Sequence, residues 1–357
     1  MVQYFICKLN NGIFTVKLNS ASVMKPVLFS TRLFLVIIFA LTLLSFKCGS
    51  AKENKENANT ISPPQQRFDL ITEKQFNELF PQRDKFYTYA AFMQAVKELG
   101  NIKVQVSRRS LSVYQIVRTD KKTNKASIVR QDIDWNEPWA KVKPDSVFAV
   151  DYGDFCTAAD SLTNKKELAA FFAHIAHETR HGVNGSYTDG LMLRHEDNTS
   201  LDYYGESDEY PQVQGKKYYG RGPMQLSYNG NYGKASDCIF GDKKILLNDP
   251  DKVENDPVVA FKVAIWFWMM PETHKPSAHD VMIGKWQPNA VDRSNNRSPG
   301  FGMTINIING AVECSKGENE GMNDRIGFYQ HFLTKLGVTD ADCACSCGKM
   351  QFYTYTN

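Results

Sequence analysis

The sequence lacks an apolar run long enough to cross a bilayer as a helix. Its longest, residues 33–46 (LFLVIIFALTLLSF), has 14 residues, short of the roughly 20 that a spanning helix needs. Acidic residues are missing from the front of the chain: residues 1–50 carry Lys8, Lys17, Lys25, Arg32 and Lys47 and no Asp or Glu. Removing those five from the 42 basic residues leaves 37 against 39 acidic ones, so the net charge of +3 becomes −2. With no basic surplus in the rest of the chain, charge argues against a nucleic-acid partner. There is no internal repeat, and strand signals are scarce beyond residue 150. No histidine follows the C-x-C-x-C cluster at 343–347, and the C-x-x-C spacing of familiar zinc sites is absent there, so a metal is a weak reading of that cluster.

What the first 50 residues contain is a leader. Residues 33–46, behind Lys25 and Arg32, suit a signal-peptide h-region, and MKPVLFSTR from Met24 suits its n-region, so synthesis is expected to start at Met24. Secretion is the favoured outcome. A lipid anchor at Cys48 is the alternative, although Phe46 and Lys47 fit a lipobox poorly, and a retained membrane anchor is the third. Residues 51–69 are polar, low in complexity and hold two prolines, as expected of a flexible linker. A catalytic domain is expected over 70–347 and a short tail over 348–357. Apart from Cys7 and Cys48 the cysteines number six, and an even count in an exported chain suggests disulfides.

Helical patterns follow the linker. Thr72 and Gln75 read as a capping box. A helix is expected from about 88 to 99, with Gly100 ending it. Residues 101–150 alternate enough for one or two strands, then turn charged and loop-like. Over 164–180, Leu168, Phe171, Phe172 and Ile175 fall at helical spacing. Over 257–269, Asp256 is the expected cap, Pro257 opens the first turn, and the segment is apolar nearly all round, as a central core helix would be. The last helix is expected at about 324–336.

Glu178 lies three residues after Ile175 and seven after Phe171, on or beside the apolar stripe. A carboxyl there is expected to hold its proton more tightly, which suits a general acid. On spacing alone, a glutamate at a helix end that leans into solvent or pairs with an arginine explains it as well. Glu196, among polar neighbours in LMLRHEDN, is by itself an ordinary loop carboxylate. Together the two fit an acid in an apolar setting and a base in a wet one, the division of labour of glycosidases. Residues 218–233, YYGRGPMQLSYNGNYG, mix tyrosines, amides, a serine and glycines. They read as a surface for a polar, flat-faced ligand such as a polysaccharide. His174, His177 and His181 fall at i, i+3 and i+7 around Glu178, and His177 to His181 spells H-E-x-x-H, which keeps a zinc protease open as an alternative.

Seven ordered blocks carry a resemblance: FYTYAAF, ELAAFFAHIAHET, KKYYGRGPMQLSYNGNYG, AFKVAIWFWM, HDVMIGKWQP, GFGMTINIINGAVEC and DRIGFYQHF. The sequence resembles the family 19 glycoside hydrolases, chiefly plant-type endochitinases, over most of 74–343 but not 101–150, which would be a family-atypical insertion. The resemblance implies a predominantly α (α+β, lysozyme-like) fold of two lobes around a deep substrate cleft. It implies Glu178 as general acid, Glu196 as general base and Ser227 as a holder of the attacked water. Gln225, Asn231 and Asn309, with Tyr219, would bind substrate, and Arg325 and Glu313 would form a charged network beside the acid. Cys314 and Cys343 match one family disulfide. Inversion in one displacement would want the two carboxyls about 6.5–9.5 Å apart.

The departures are Gly230 where relatives often carry tyrosine, Arg180–His181 in place of Thr-Gly, and Met192, Tyr204 and Ala278 where cysteines usually stand. The resulting expectation is a secreted or surface-tethered monomer that needs no cofactor and hydrolyses chitin or a related N-acetylglucosamine polymer. A peptidoglycan-cleaving enzyme of the same fold and a catalytically silent glycan-binding protein are the alternatives.

Overall fold

The computed structural model describes residues 70–354, apart from 111, 142–145, 182–184 and 273–274. The leader, with Cys48, and the linker at 51–69 lie outside the described residues. Thr72 and Gln75 close the expected capping box at the start of α1 (Glu73–Leu79): the Thr72 hydroxyl accepts from the Gln75 N–H and the Gln75 side chain returns to the Thr72 N–H. Thr88 caps α2 (Tyr89–Leu99) in the same way from one side.

Residues 101–150 form more structure than their pattern suggests. Strands β1 (Ile102–Arg109), β2 (Val113–Asp120), β3 (Lys125–Gln131) and β4 (Ser146–Asp151) make one antiparallel sheet in the order β3-β2-β1-β4. The two central strands are the ones that alternate visibly. β3 lies on the edge and is exposed for most of its length, so no apolar period marks it. Val104, Val106, Ile116 and Val150 turn inward and are buried.

The helix carrying Glu178, α3, runs Ser161–Glu178. It begins three residues earlier than expected because Asp160 caps it by accepting from the Thr163 N–H, and it ends on Glu178. After a long irregular stretch come α4 (Asn229–Phe240), α5 (Lys244–Asn248) and α6 (Lys252–Asn255). Arg118 of β2 donates to the Cys238 and Ile239 carbonyls in the last turn of α4, joining the sheet to the helical body where helix carbonyls want a cation.

α7 (Pro257–Met269) has the expected bounds. Asp256 accepts from the N–H groups of Val258 and Val259, Pro257 occupies the first turn, and the helix is buried nearly all round against α2 and α4. Short helices α8 (Ala278–Met282) and α9 (Ala290–Ser294) lead to α10 (Phe301–Glu313) and α11 (Glu320–Lys335), the latter starting four residues earlier than expected because Asn319 caps it. Phe76, Phe80, Phe92, Phe171, Phe172, Phe261 and Phe332 meet in an aromatic cluster with centroids mostly 5–6 Å apart. Each buried phenylalanine there contributes about 1.5–3 kcal/mol by area. That cluster anchors α3, so the end of α3 is a rigid place to mount a reactive group.

The disulfides differ from the expected pairing of Cys314 with Cys343. Cys314 bonds Cys347, and Cys343 bonds Cys345. The backbone explains the exchange. The Cys343 carbonyl accepts from Phe301 N at the start of α10, while Cys314 follows its end. The Cys347 carbonyl instead accepts from Ser315 N, which brings the Cα atoms of Cys347 and Cys314 to 5.1 Å. Cys156 and Cys238 are buried free thiols, so the even count of six yields two bridges rather than three. Burial raises both thiols, Cys238 to about 11, and keeps them protonated.

Candidate active site

Glu178 is the last residue of α3, and the chain turns sharply after it. Thr179 leaves helical geometry, its hydroxyl donates to the Ile175 carbonyl and accepts from Leu191 N–H, and its carbonyl accepts from the N–H groups of Met192 and Leu193 at 3.0 and 2.9 Å. A Cβ on Gly190 would sit 2.6 Å from the Ala176 side chain, so only glycine lets this returning segment lie against α3. The latch at Thr179 thus sets the position of residues 191–196. Two further backbone bonds, Glu196 N–H to Gly220 carbonyl (2.9 Å) and Gly222 N–H to Arg194 carbonyl (2.7 Å), join that segment to residues 220–222. Leu226 and Arg221 then exchange backbone bonds, which places Ser227 next along the chain. Glu178, Glu196 and Ser227 are therefore tied together by one relay of main-chain hydrogen bonds.

The two carboxylates have unlike surroundings. Glu178 is partly buried, and its Oε1 lies 2.5 Å from Nη2 of Arg325 on α11. The expected apolar setting is therefore replaced by an ion pair, because α11 brings a buried arginine to the apolar side of α3. Arg325 is fully buried and also holds Glu313, through Nε at 2.9 Å to Oε2 and Nη2 at 2.9 Å to Oε1. Burial opposes the charge on Glu313, and Arg325, with His177 and Asn309, outweighs it and keeps that carboxyl below the usual range. Asn309 donates to Glu313 at 2.7 Å from a kink in α10, where its own backbone leaves helical geometry. Arg325 thus links Glu178 to Glu313, and Asn309 extends the network from Glu313.

Glu196 accepts two hydrogen bonds, from Gly220 N–H to Oε1 (2.7 Å) and from the Tyr203 hydroxyl to Oε2 (3.1 Å). Burial and the facing Glu196 charge push the Tyr203 hydroxyl up to about 12, so it remains a donor. Ser227 Oγ donates to the Gln225 carbonyl at 3.0 Å, and Asn231 Nδ2 donates to the Ser227 carbonyl at 2.9 Å. Non-glycine residues with left-handed backbone gather here: Leu191 (φ 60°), Tyr203 (46°), Gln225 (45°) and Tyr228 (73°). Such conformations cost about 1–3 kcal/mol each and are retained where surroundings over-determine them.

The stretch 218–233 only half matches its expected role as a ligand-facing surface. Tyr219, Gln225, Ser227, Tyr228 and Asn231 are partly exposed, whereas Tyr218, Arg221, Asn229 and Tyr232 are buried. Those buried polar groups are each satisfied. Arg221 reaches the carbonyls of Lys217 and Tyr219, the Tyr232 hydroxyl and the carboxylates of Asp251 and Glu254. Asn229 donates to the carbonyls of Gly205 and Tyr210 and accepts from Gly205 N–H. The stretch is a polar scaffold with one exposed edge. Tyr219 belongs partly to the scaffold: its ring packs 3.5 Å from the Arg221 guanidinium carbon and its hydroxyl donates to Glu254.

The H-E-x-x-H reading does not fit this geometry. α3 ends at Glu178, so His181 is not one helical turn from His177; it is exposed, while His177 Nδ1 lies 2.7 Å from Asp324. Asp324 also pairs with Arg180, whose guanidinium lies over the Phe328 ring and pairs with Asp189. Arg180, a departure from the family pattern, therefore fastens the end of α3 to α11. Sequence reasoning missed this network and Tyr203, and it read His174 only as a possible metal ligand, whereas the ring is fully buried against partners far away in the chain.

The comparisons agree with this architecture. The model of the family described as chitinase class I matches residues 146–355. Endochitinase CH25 of Brassica napus is 49% identical over 202 residues, covering 55% of this chain and 62% of its own length. Endochitinase B of Nicotiana tabacum is 46% identical over 203 residues, covering 56% and 61%. The chain thus spans about six-tenths of the length of these curated relatives. Chitinase C from Streptomyces griseus HUT6037 shares the fold with a TM-score of 0.52 and 28% identity, over 78% of this chain and 80% of that one. A helical body that mounts two glutamates on one backbone relay, with the family match spanning both, identifies the chain as a member of glycoside hydrolase family 19, chitinase class I.

Proposed function

We propose that the protein is an inverting endo-hydrolase of β-1,4-linked N-acetylglucosamine polymers, with chitin as its substrate, Glu178 as general acid and Glu196 as general base. The observation that carries the reading is the contrast between the two glutamates: one bound to a buried arginine, the other to a backbone N–H and a tyrosine hydroxyl, on a shared relay. The names of the curated relatives support the substrate.

In the reaction Glu178, once protonated on Oε2 while Arg325 holds Oε1, gives that proton to the glycosidic oxygen as the bond to the anomeric carbon breaks. Arg325, already on Oε1, stabilises the carboxylate that this leaves. Glu196 takes a proton from water as the water oxygen bonds the anomeric carbon from the opposite face. Ser227 has committed its proton to the Gln225 carbonyl, so its lone pairs are free to accept from that water and aim it. Gln225, Asn231 and Asn309 bind the sugars' hydroxyl and acetamido groups, and Tyr219 flanks them. The leader delivers the protein, a monomer, outside the cell.

The test compares the wild type and Glu178→Gln on chitin hexamer and, separately, on purified peptidoglycan, with products read by mass. Cleavage of the hexamer by the wild type, reduced about 100- to 10,000-fold in the variant, is the expected result. Cleavage of peptidoglycan alone would make the protein a wall-lytic enzyme, and binding of either glycan without cleavage would make it a lectin.

A further inference from the structure

Arg325 faces two carboxylates, yet one of its arms turns away from both. Nη1 lies 3.0 Å from Nδ1 of His174, one helical turn before His177 on α3. A guanidinium can only donate, so Nδ1 accepts and the ring proton belongs on Nε2. Nε2 lies 2.8 Å from Thr304 Oγ1, and Thr304 passes its own proton to the Phe301 carbonyl at 2.6 Å. The direction of donation is therefore determined along the whole line, from Arg325 through His174 and Thr304 to Phe301. His174, Thr304 and Arg325 are all fully buried.

We propose that His174 is a positioning residue for the general acid: its neutral, Nε2-protonated ring fixes the rotation of the Arg325 guanidinium and so the direction from which Nη2 meets Glu178. The inference rests on Glu178 being the acid and adds to that reading the element that orients its partner. An imidazolium in this place would set a donor against a donor. Burial, then the Arg325 charge and His177, keep the ring neutral by holding it well below the usual histidine range. The groups around it come from three other elements: Arg325 on α11, Thr304 and the Phe301 ring on α10, and the Trp268 ring on α7. Arg325 is the charge among them. Without the ring nitrogen, Nη1 would be a buried donor with no acceptor. The guanidinium would then be free to turn about its remaining bonds to Glu313 and lose its aim at Glu178.

The test uses the full chain with His174→Leu, Thr304→Val and His174→Gln, assayed on chitin hexamer beside the wild type. His174→Leu should lower kcat about 10- to 100-fold and Thr304→Val by less, both with KM within about twofold of the wild type, as for lost orientation rather than lost binding. His174→Gln offers an amide oxygen to Arg325 and an N–H to Thr304, and should restore kcat to within about threefold. If His174→Leu does not fold, the same comparison between Thr304→Val, His174→Gln and the wild type decides. Wild-type kcat in Thr304→Val and His174→Leu, or losses confined to melting temperature, would overturn the proposal. Nitrogen-15 NMR of the histidine rings reads the tautomer without any substrate: a proton on Nε2 of His174 is expected, and a proton on Nδ1 overturns it. Failure of the wild type to cleave any glycan would instead sink the functional reading, and with it the role of His174, while the NMR result stands by itself.

Discussion

Replacing Arg325 with methionine should be among the most damaging single changes in the protein. The guanidinium is buried without any solvent contact and donates to Glu178, Glu313 and His174. Methionine keeps much of the volume and none of the donors. Glu313, only 3% exposed, would be left as a buried carboxylate whose one remaining side-chain donor is Asn309. Breaking a buried pair from one side costs about 3–5 kcal/mol, a large share of the 5–15 kcal/mol that a domain usually has. The loss depends on pH with a definite sign. In the wild type the Glu313 carboxyl is held below its ordinary range, so its contribution is present at neutral pH and is lost on acidification. In the variant the same carboxyl escapes its cost by taking a proton, so the gap between wild type and variant should shrink from pH 8 to pH 4. Adding Glu313→Gln to Arg325→Met should recover part of the loss, about 1–3 kcal/mol of coupling. Urea unfolding followed by tryptophan fluorescence measures all four corners of this cycle. A loss below about 1 kcal/mol, or strict additivity of the two changes, would refute the reasoning.

Burial pushes the Asp237 carboxyl up to about 7 despite the hydroxyl of Tyr210, so the native state binds more protons than the unfolded chain between about pH 4 and 7 and stability should fall as pH rises across that window. Asp237→Asn should remove most of that fall, a few kcal/mol at most, seen as a higher melting temperature at pH 8 than the wild type's and little change at pH 4. Tyr203→Phe deletes one of the two donors to Glu196 and should lower kcat about 3- to 30-fold with an unchanged melting temperature, read by steady-state kinetics. Cys347→Ser opens a bridge across a separation of 33 residues and should cost about 3–4 kcal/mol, whereas Cys343→Ser opens one of 2 and should cost about 1; equal losses in denaturant unfolding would contradict the observed pairing.

Local chemistry made much of the fold legible. Asp256 and Pro257 mark the start of α7 by cap and fixed φ, and its nearly uniform apolarity marks its place in the core. Glu178 and Glu196 stood out only as a pair and through the family blocks around them, since alone the one fits any helix-end glutamate and the other any loop carboxylate. What surrounds them was not legible. His174 and Arg325 are 151 residues apart, and nothing near either one announces that a guanidinium will be buried against an imidazole. The stretch 218–233 misled because composition reports polarity and not satisfaction. Arg221 and Asn229 look like surface residues until their carbonyl and carboxylate partners close around them. β3 was hidden for the opposite reason, since an exposed edge strand needs no apolar period. The cysteine pairing turned on which carbonyl accepts from the backbone N–H groups flanking α10, a matter of tertiary register.

In the proposed mechanism Glu178 and Glu196 act on opposite faces of the anomeric carbon in a single displacement. Proton NMR of the products within the first minutes of hexamer cleavage, before mutarotation, tests it most directly. The new reducing end should appear as the α-anomer in the wild type, and neither Glu178→Gln nor Glu196→Gln should release it at a comparable rate. First appearance of the β-anomer, or undiminished cleavage by either variant, would contradict it.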